Sequence, residues 1–118
     1  MFLELAHTKL NAYKSTTNLL VDCYKFTSHL PLEEKHNIVS QIKRAALSVH
    51  LNLAEGAARK SAAERRRFFE ISRSSLVEID AALDATSSLY NLSAINTESL
   101  GTSIRDSYSL LTGLINKT

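Results

Sequence analysis

The sequence predicts an all-α protein, an antiparallel up-down four-helix bundle that occupies residues 1–118 as a single domain. The chain has 118 residues, a length typical of one domain. It contains one Pro and three Gly, so few positions interrupt a helix. Four amphipathic segments follow one another with short connections, which favours packing around one shared core. Since helices of about 25 residues rise about 37 Å, we expect an elongated bundle.

The first helix is predicted from about Leu3 to about Ser28. Apolar and small residues recur there at intervals of three and four positions, the spacing of a heptad seam that faces a core. Pro31 ends this run. The predicted seam is Leu3, Ala6, Leu10, Tyr13, Thr17, Leu20, Tyr24 and Thr27.

The second helix, predicted from about Leu32 to about Ala58, carries two apolar stripes where a surface helix has one. Pro31 suits its first turn. Gly56 is either a close-packing contact or a helix end, and its position alone does not decide between them. One stripe is Ile42, Ala45, Val49 and Leu53. The other, roughly opposite, is the set that we expect to meet a second subunit: Leu47, Leu51, Ala54 and Ala58.

A polar stripe lies between these two apolar stripes. It is either a solvated face or an ordered network enclosed on both flanks, in which buried charges need partners. Glu78, off the core seam of the third helix, is a candidate partner for Arg44 or Arg59. The stripe is Gln41, Arg44, Ser48, Asn52, Glu55 and Arg59.

The third helix opens with a capping box, Ser61-Ala62-Ala63-Glu64, in which the serine hydroxyl accepts a hydrogen bond from the backbone of Glu64. The fourth helix starts near Asn96 or Thr97, either of which can cap it. The predicted seam of the third helix is Phe69, Ser72, Leu76, Ile79, Leu83, Thr86 and Tyr90. That of the fourth is Leu100, Ile104, Ser107, Leu111 and Leu114.

Charge is distributed unevenly along the chain, although the net charge is only +2. Residues 43–73 hold eight Lys or Arg and three Asp or Glu, which gives +5, and the remainder carries −3. Basic residues oppose the dipole at a helix N-terminus, which hints at another role for them here. They could contact nucleic-acid phosphates, or form local ion pairs such as Arg66 with Glu70. The cluster is Arg59, Lys60, Arg65, Arg66, Arg67 and Arg73.

Motifs for chemistry are absent from the sequence, so we expect a non-enzymatic protein without cofactor or metal. Glu33-x-x-His36 has the spacing of half a di-iron site but occurs once, at a helix start. A single cysteine, Cys23, excludes an internal disulfide and is compatible with a reducing cytoplasm. Because no apolar run approaches the ~18 residues of a membrane span, we expect no membrane partner. Residues 1–5 lack the features of a signal peptide, which together with the single cysteine leads us to expect a cytoplasmic location.

Two blocks of the sequence resemble the signature of a family of small bacterial four-helix-bundle proteins. These proteins are encoded by intervening sequences of 23S rRNA genes and are often described as ribosomal-protein-like. The first block is Gln41–Ala46 with Ser48-Val49, Asn52–Gly56 and Arg59. The second is Phe68–Glu78. Polar as well as apolar positions match, and the likeness covers most of the chain.

The resemblance implies a left-handed up-down bundle, association into a pentameric ring and no known catalytic activity. Related accessory proteins of retroelements form basic pentamers that bind nucleic acid and a reverse transcriptase. The leading hypothesis is therefore a homo-oligomeric bundle that binds RNA or another nucleic acid through the basic cluster. The alternative is a protein-interaction scaffold whose arginines pair with a partner or a neighbouring subunit.

Overall fold

A computed structural model of the protein describes residues 2–118. It confirms the all-α fold class, since four helices form an elongated body of 44 × 26 × 25 Å and residues 2–118 contain no strand. Each helix packs against its neighbours in chain order, and the fourth closes the bundle against the first. The helices are α1 (Asn11–Thr27), α2 (Ile38–Ala57), α3 (Ala62–Leu89) and α4 (Glu98–Lys117). Two short 3-10 helices, Ala6–Lys9 and Leu32–Glu34, precede α1 and α2.

Contacts between neighbouring helices show that each pair runs antiparallel. On α2 and α3, Gly56 faces Phe69 whereas Ser48, two turns earlier, bonds to Ser75. The same inverse order holds for α1 and α4, where Ser15 bonds to Ser107 and Asp22 accepts from Ser103 at 2.5 Å. All four N-termini therefore alternate between the two ends of the bundle.

The core combines large aliphatic side chains with small hydroxyl residues. Leu19, Ile42 and Leu53 are fully buried, as are the hydroxyl residues Ser72 and Thr86. Both hydroxyls are satisfied by backbone carbonyls, since Ser72 donates to Val49 at 2.6 Å and Thr86 to Ala82 at 2.7 Å. Small residues of this kind let helices approach closely without leaving buried polar atoms unpaired.

The predicted start of the first helix is wrong, and its predicted core face is right only in part, since Leu10, Tyr13 and Leu20 pack against the core and Thr27 is buried. Residues near Leu3 lie outside α1, which begins at Asn11 after the first 3-10 helix. Tyr24 and Thr17 are exposed, and the Tyr24 ring instead carries the Lys43 ammonium at 4.8 Å. The centre of the buried face is turned by about one position from the predicted seam, toward the row that contains Ala12, Leu19 and Cys23. The buried residues of α1 are Ala12, Ser15, Thr16, Leu19, Cys23, Phe26 and Thr27.

The second helix begins later than predicted, at Ile38 rather than near Leu32. Pro31 precedes the second 3-10 helix, which occupies the position assigned to the first α-helical turn. Glu34 in this segment is buried; its carboxylate accepts from the Tyr90 hydroxyl at 2.5 Å and from the Asn37 amide at 3.1 Å. These bonds hold the segment as a separate unit and shorten α2.

The third helix begins where the capping box predicts. Ser61 caps α3 and its hydroxyl accepts from the Glu64 backbone N–H at 3.1 Å. The predicted seam is buried at Phe69, Ser72, Leu76, Ile79 and Thr86. In α4, Leu100, Ser107 and Leu111 are buried as predicted. The side chain of Asn96, one of the two predicted capping residues, accepts a hydrogen bond from the Glu98 backbone N–H at 3.0 Å.

Gly56 is a close-packing contact inside α2, which resolves the alternative left open by the sequence. A methyl group at this position would lie 2.9 Å from Phe68 Cβ and 2.9 Å from two ring carbons of Phe69. Both phenylalanines belong to α3, so the absence of a side chain at Gly56 sets the distance between the two helices. Gly113 in α4 contrasts with it, because a methyl group there would meet nothing within 4 Å.

Replacing Gly56 with Ala should destabilise the protein by about 1–3 kcal/mol, because the added methyl group forces α2 and α3 apart. Gly113→Ala is the matched control and should stabilise by about 0.5–1 kcal/mol, since alanine favours the helix and meets no neighbour. Urea unfolding followed by circular dichroism measures both. A Gly56→Ala protein as stable as wild type would contradict the close contact.

Candidate nucleic-acid interface

The end of the bundle where α2 ends, α3 begins and α4 ends is here called the basic pole. The C-termini of α2 and α4 flank the first turns of α3 there, because both of these neighbours run antiparallel to α3. The N-terminus of α1 lies at the same end, but the partial negative charges of the two flanking C-termini are the ones next to the start of α3. The basic pole comprises Arg59, Lys60, Arg65, Arg66 and Arg67, with Arg73 one heptad further along α3.

Two of the arginines at the pole donate to backbone carbonyls of the neighbouring segments. Arg65 Nη1 donates to the carbonyls of Lys60 at 2.7 Å and Arg59 at 3.2 Å, in the turn directly after α2. Arg66 bonds to Glu70 at 2.7 Å and makes a longer contact, 3.4 Å, to the Ile115 carbonyl in the last turn of α4. The unfavourable position of these residues relative to the α3 dipole is thus offset by the C-terminal ends of α2 and α4.

Arg59 and Arg73 are also engaged within the chain. The Arg59 guanidinium forms an ion pair with Glu55 and lies 4.7 Å from the centre of the Phe68 ring. Arg73 donates to the Thr112 hydroxyl at 3.1 Å and lies 5.6 Å from the Tyr108 ring centre. Both side chains therefore help to join helices, Arg59 at the α2–α3 contact and Arg73 at the α3–α4 contact.

Lys60 and Arg67 differ from the other four. Both are exposed, and within residues 2–118 neither forms an ion pair or a side-chain hydrogen bond. Their charges are therefore the ones available to an external anion without loss of an internal contact.

Acidic residues occupy the opposite half of α3. Glu78, Asp80 and Asp84 all lie beyond its midpoint and are exposed. The first half of the helix therefore has an excess of positive charge despite Glu64 and Glu70, and the second half has only negative charge. A polyanion is attracted to the first region and repelled by the second.

The polar stripe of α2 divides into separate contacts in the single chain. Ser48 shares a hydrogen bond of 2.7 Å with Ser75, and the Asn52 amide donates to the Ser48 hydroxyl at 3.1 Å. Further along, Glu55 pairs with Arg59. The remaining members, Gln41, Arg44 and the proposed partner Glu78, are exposed. Glu78 forms an ion pair with neither Arg44 nor Arg59 in the described part of the chain.

The second apolar stripe of α2 points away from the core. Leu51 is 59% and Leu47 38% exposed, Ala58 is exposed and Ala54 is half-buried. The first stripe, by contrast, is buried throughout, with Ile42, Ala45, Val49 and Leu53 at most 3% exposed. One chain by itself therefore leaves an apolar strip of α2 open to solvent.

The ionisable groups with shifted pKa values outside the basic pole make contacts within the bundle. The hydrogen bond from Tyr90 lowers the pKa of Glu34 and raises the pKa of the tyrosine. Burial, with a smaller contribution from His7, lowers the pKa of His50, which stacks on Tyr13 at 4.4 Å. Residues 2–118 hold no cluster of three or more His, Cys, Asp or Glu side chains that could bind a metal.

Glu33 and His36, the sequence candidates for half of a di-iron site, are both exposed on the segment before α2. That segment lies at the end of the bundle away from the basic pole, so their spacing does not place them inside the bundle. Nor is any helix of residues 2–118 both long and apolar enough to cross a bilayer.

The fold and site define a class of protein: a small all-α bundle with charge concentrated at one pole and a helix that is apolar on two faces. The chain belongs to the 23S rRNA-intervening sequence protein family, whose model matches residues 8–113. The family predicted from the two sequence blocks is thereby confirmed. Its description names an intervening sequence and no catalytic activity. No curated protein matches the sequence.

Arg65→Ala should destabilise the protein by about 1–2 kcal/mol, because it removes two charge-assisted bonds to the carbonyls after α2. Arg67→Ala is the control: it removes the same charge two residues away without an internal contact, and should change stability by less than about 0.5 kcal/mol. Thermal unfolding compares the two variants. Equal effects would mean that the Arg65 contacts contribute nothing to the fold.

Proposed function

We propose that the protein is a non-enzymatic, self-associating helical bundle that binds RNA through phosphate contacts at the basic pole, and that it acts in the cytoplasm. The observation that carries the proposal is the pair of exposed, unpaired cations Lys60 and Arg67 at the pole. The family description, which refers to a sequence within 23S rRNA, makes RNA the first nucleic acid to test.

Backbone contact is the mode of binding that the pole can support. Phe69 is buried against Gly56, and the Phe68 ring is covered by the Arg59 guanidinium. Because Phe69 is buried and Phe68 is already in contact with Arg59, neither ring favours base stacking, the usual means of holding single strands. Contacts from Lys60 and Arg67 to phosphate oxygens position a protein on a helix but carry little sequence information.

The small number of available cations makes the proposed binding depend on self-association. Two phosphate contacts per chain give a slope of log affinity against log salt of only about −2, which corresponds to weak binding. Several poles held in one particle bind the same nucleic acid with far greater avidity. The exposed stripe of Leu47, Leu51, Ala54 and Ala58 on α2 offers the apolar surface for such an assembly, and the family resemblance implies a pentamer.

Light scattering of the wild-type protein at micromolar concentration should give a mass several times the 13.1 kDa of one chain. Leu51→Asp should lower the mass toward that of one chain, because a charge at the centre of an apolar interface is costly to bury. Leu89→Asp, at a leucine that is 65% exposed at the end of α3, is the control and should leave the mass unchanged. A monomeric wild type would contradict self-association.

The double variant Lys60→Ala/Arg67→Ala should weaken binding to an RNA hairpin and reduce the salt slope by about 2 per chain engaged. The matched control, Lys25→Ala/Lys35→Ala, removes the same charge from exposed lysines at the other end of the bundle. Fluorescence anisotropy across a salt series measures both, with duplex DNA of equal length as a second probe.

Equal losses in the two double variants would mean that net charge, rather than the pole, governs binding. Absence of salt-dependent binding in the wild-type protein would contradict the RNA function. The alternative, a protein-interaction scaffold, would then be favoured. Arg65, Arg66 and Arg73 already form hydrogen bonds to neighbouring segments of the chain, as arginines at a protein interface do.

A further inference from the structure

A short apolar arm, residues 2–5, precedes the first 3-10 helix. Phe2 is 91%, Leu3 76% and Leu5 46% exposed, so three of its four side chains are large, apolar and uncovered. Glu4 between them has φ 49°, in the left-handed region that a glutamate rarely adopts, and the chain therefore turns there rather than extending the helix. Apolar side chains concentrated and exposed in this way mark a docking element.

A groove of about 310 Å³ lies between α3 and α4 on the outside of the bundle. Its floor is formed by Leu76 and Ile104, and its walls by Val77, 54% exposed, and Tyr108, 45% exposed. Its volume lies at the lower end of the range for ligand pockets, about 300–1,000 Å³. The groove can therefore accept one or two apolar side chains of a peptide.

Charges at the edge of the groove complement the arm. Arg105, on the α4 wall, has no carboxylate partner within residues 2–118. Its guanidinium lies over Gly101, where an added methyl group would be 3.2 Å from Nη1. Asp80, on the α3 wall, would repel an acidic peptide residue. The carboxylate of Glu4 is thus expected on the α4 wall, at Arg105.

The arm cannot reach the groove of its own chain. The 3-10 helix that follows the arm packs against α1 and α2 and against no other element of the described chain. The α3–α4 groove faces the opposite side of a bundle that is about 25 Å across. Four extended residues span at most about 14 Å. A groove filled by this arm therefore belongs to another molecule.

We propose that residues 2–5 of one chain dock in the α3–α4 groove of a second copy, with the apolar side chains against Val77 and Tyr108 and Glu4 on Arg105. The proposal rests on the self-association proposed above and names one of its contacts. Donor and acceptor are different surfaces, so the contact is heterologous and can continue from chain to chain until a ring closes.

Cysteine cross-linking tests this contact in the full chain. In the double variant Leu3→Cys/Val77→Cys, mild oxidation should convert most chains into covalent multimers larger than a dimer, since each chain donates one arm and accepts another. Leu3→Cys/Leu89→Cys is the matched control, because Leu89 is also exposed on α3 but lies outside the groove. The native Cys23 is fully buried and its pKa is raised to about 12 by burial, so it does not compete.

A charge swap supplies a second measurement. Glu4→Arg and Arg105→Glu should each lower the particle mass in light scattering, and the two together should restore it. Equal cross-linking of the two cysteine variants, or a disulfide formed within one chain, would overturn the arm contact while leaving self-association intact. A monomeric wild-type protein would overturn both proposals.

Discussion

The close approach of α2 and α3 is the constraint on which the rest of the structure depends. Gly56 leaves room for Phe68 and Phe69, and the helices are joined further along by the hydrogen bond from Ser72 to the Val49 carbonyl. The approach keeps the connection between the helices short, from Ala58 to Ser61. Arg65 can therefore reach back to the carbonyls of that turn. A wider separation would lose the turn and, with it, the arrangement of charge at the basic pole.

Local sequence signals were enough to predict the third helix but not the first. The Ser61 cap depends on residues three apart, and the α3 seam has few competing faces. In α1, small residues at Ala12, Thr16 and Cys23 compete with a neighbouring row that contains Tyr13 and Tyr24. Both rows have helical spacing, and only the distance to the other helices decides which one is buried. The periodicity of the sequence therefore predicted that a helix forms here, but not which of its faces is turned toward the core.

The arginines illustrate the same limit at the candidate site. The sequence showed that positive charge is concentrated near the start of α3 and named the pair Arg66–Glu70, which the structure contains, but it did not predict the contacts that the arginines make with other helices. Arg65 and Arg66 bond to backbone carbonyls that come from the ends of other helices. Backbone carbonyls have no sequence signature, so nothing in the order of residues predicts these contacts to carbonyls. The antiparallel topology, which brings two helix C-termini to this pole, supplies the missing information.

The separation of charge along α3 contributes an electric dipole moment directed along that helix. Arg65, Arg66 and Arg67 lie near one end, and Asp80 and Asp84 toward the other. The electric field of a polyanion rotates such a protein before contact, so that the basic pole faces the polyanion when the two molecules meet. Orientation before collision shortens the search for a productive encounter. Added salt screens this effect at separations greater than the Debye length, which is about 8–10 Å at physiological ionic strength.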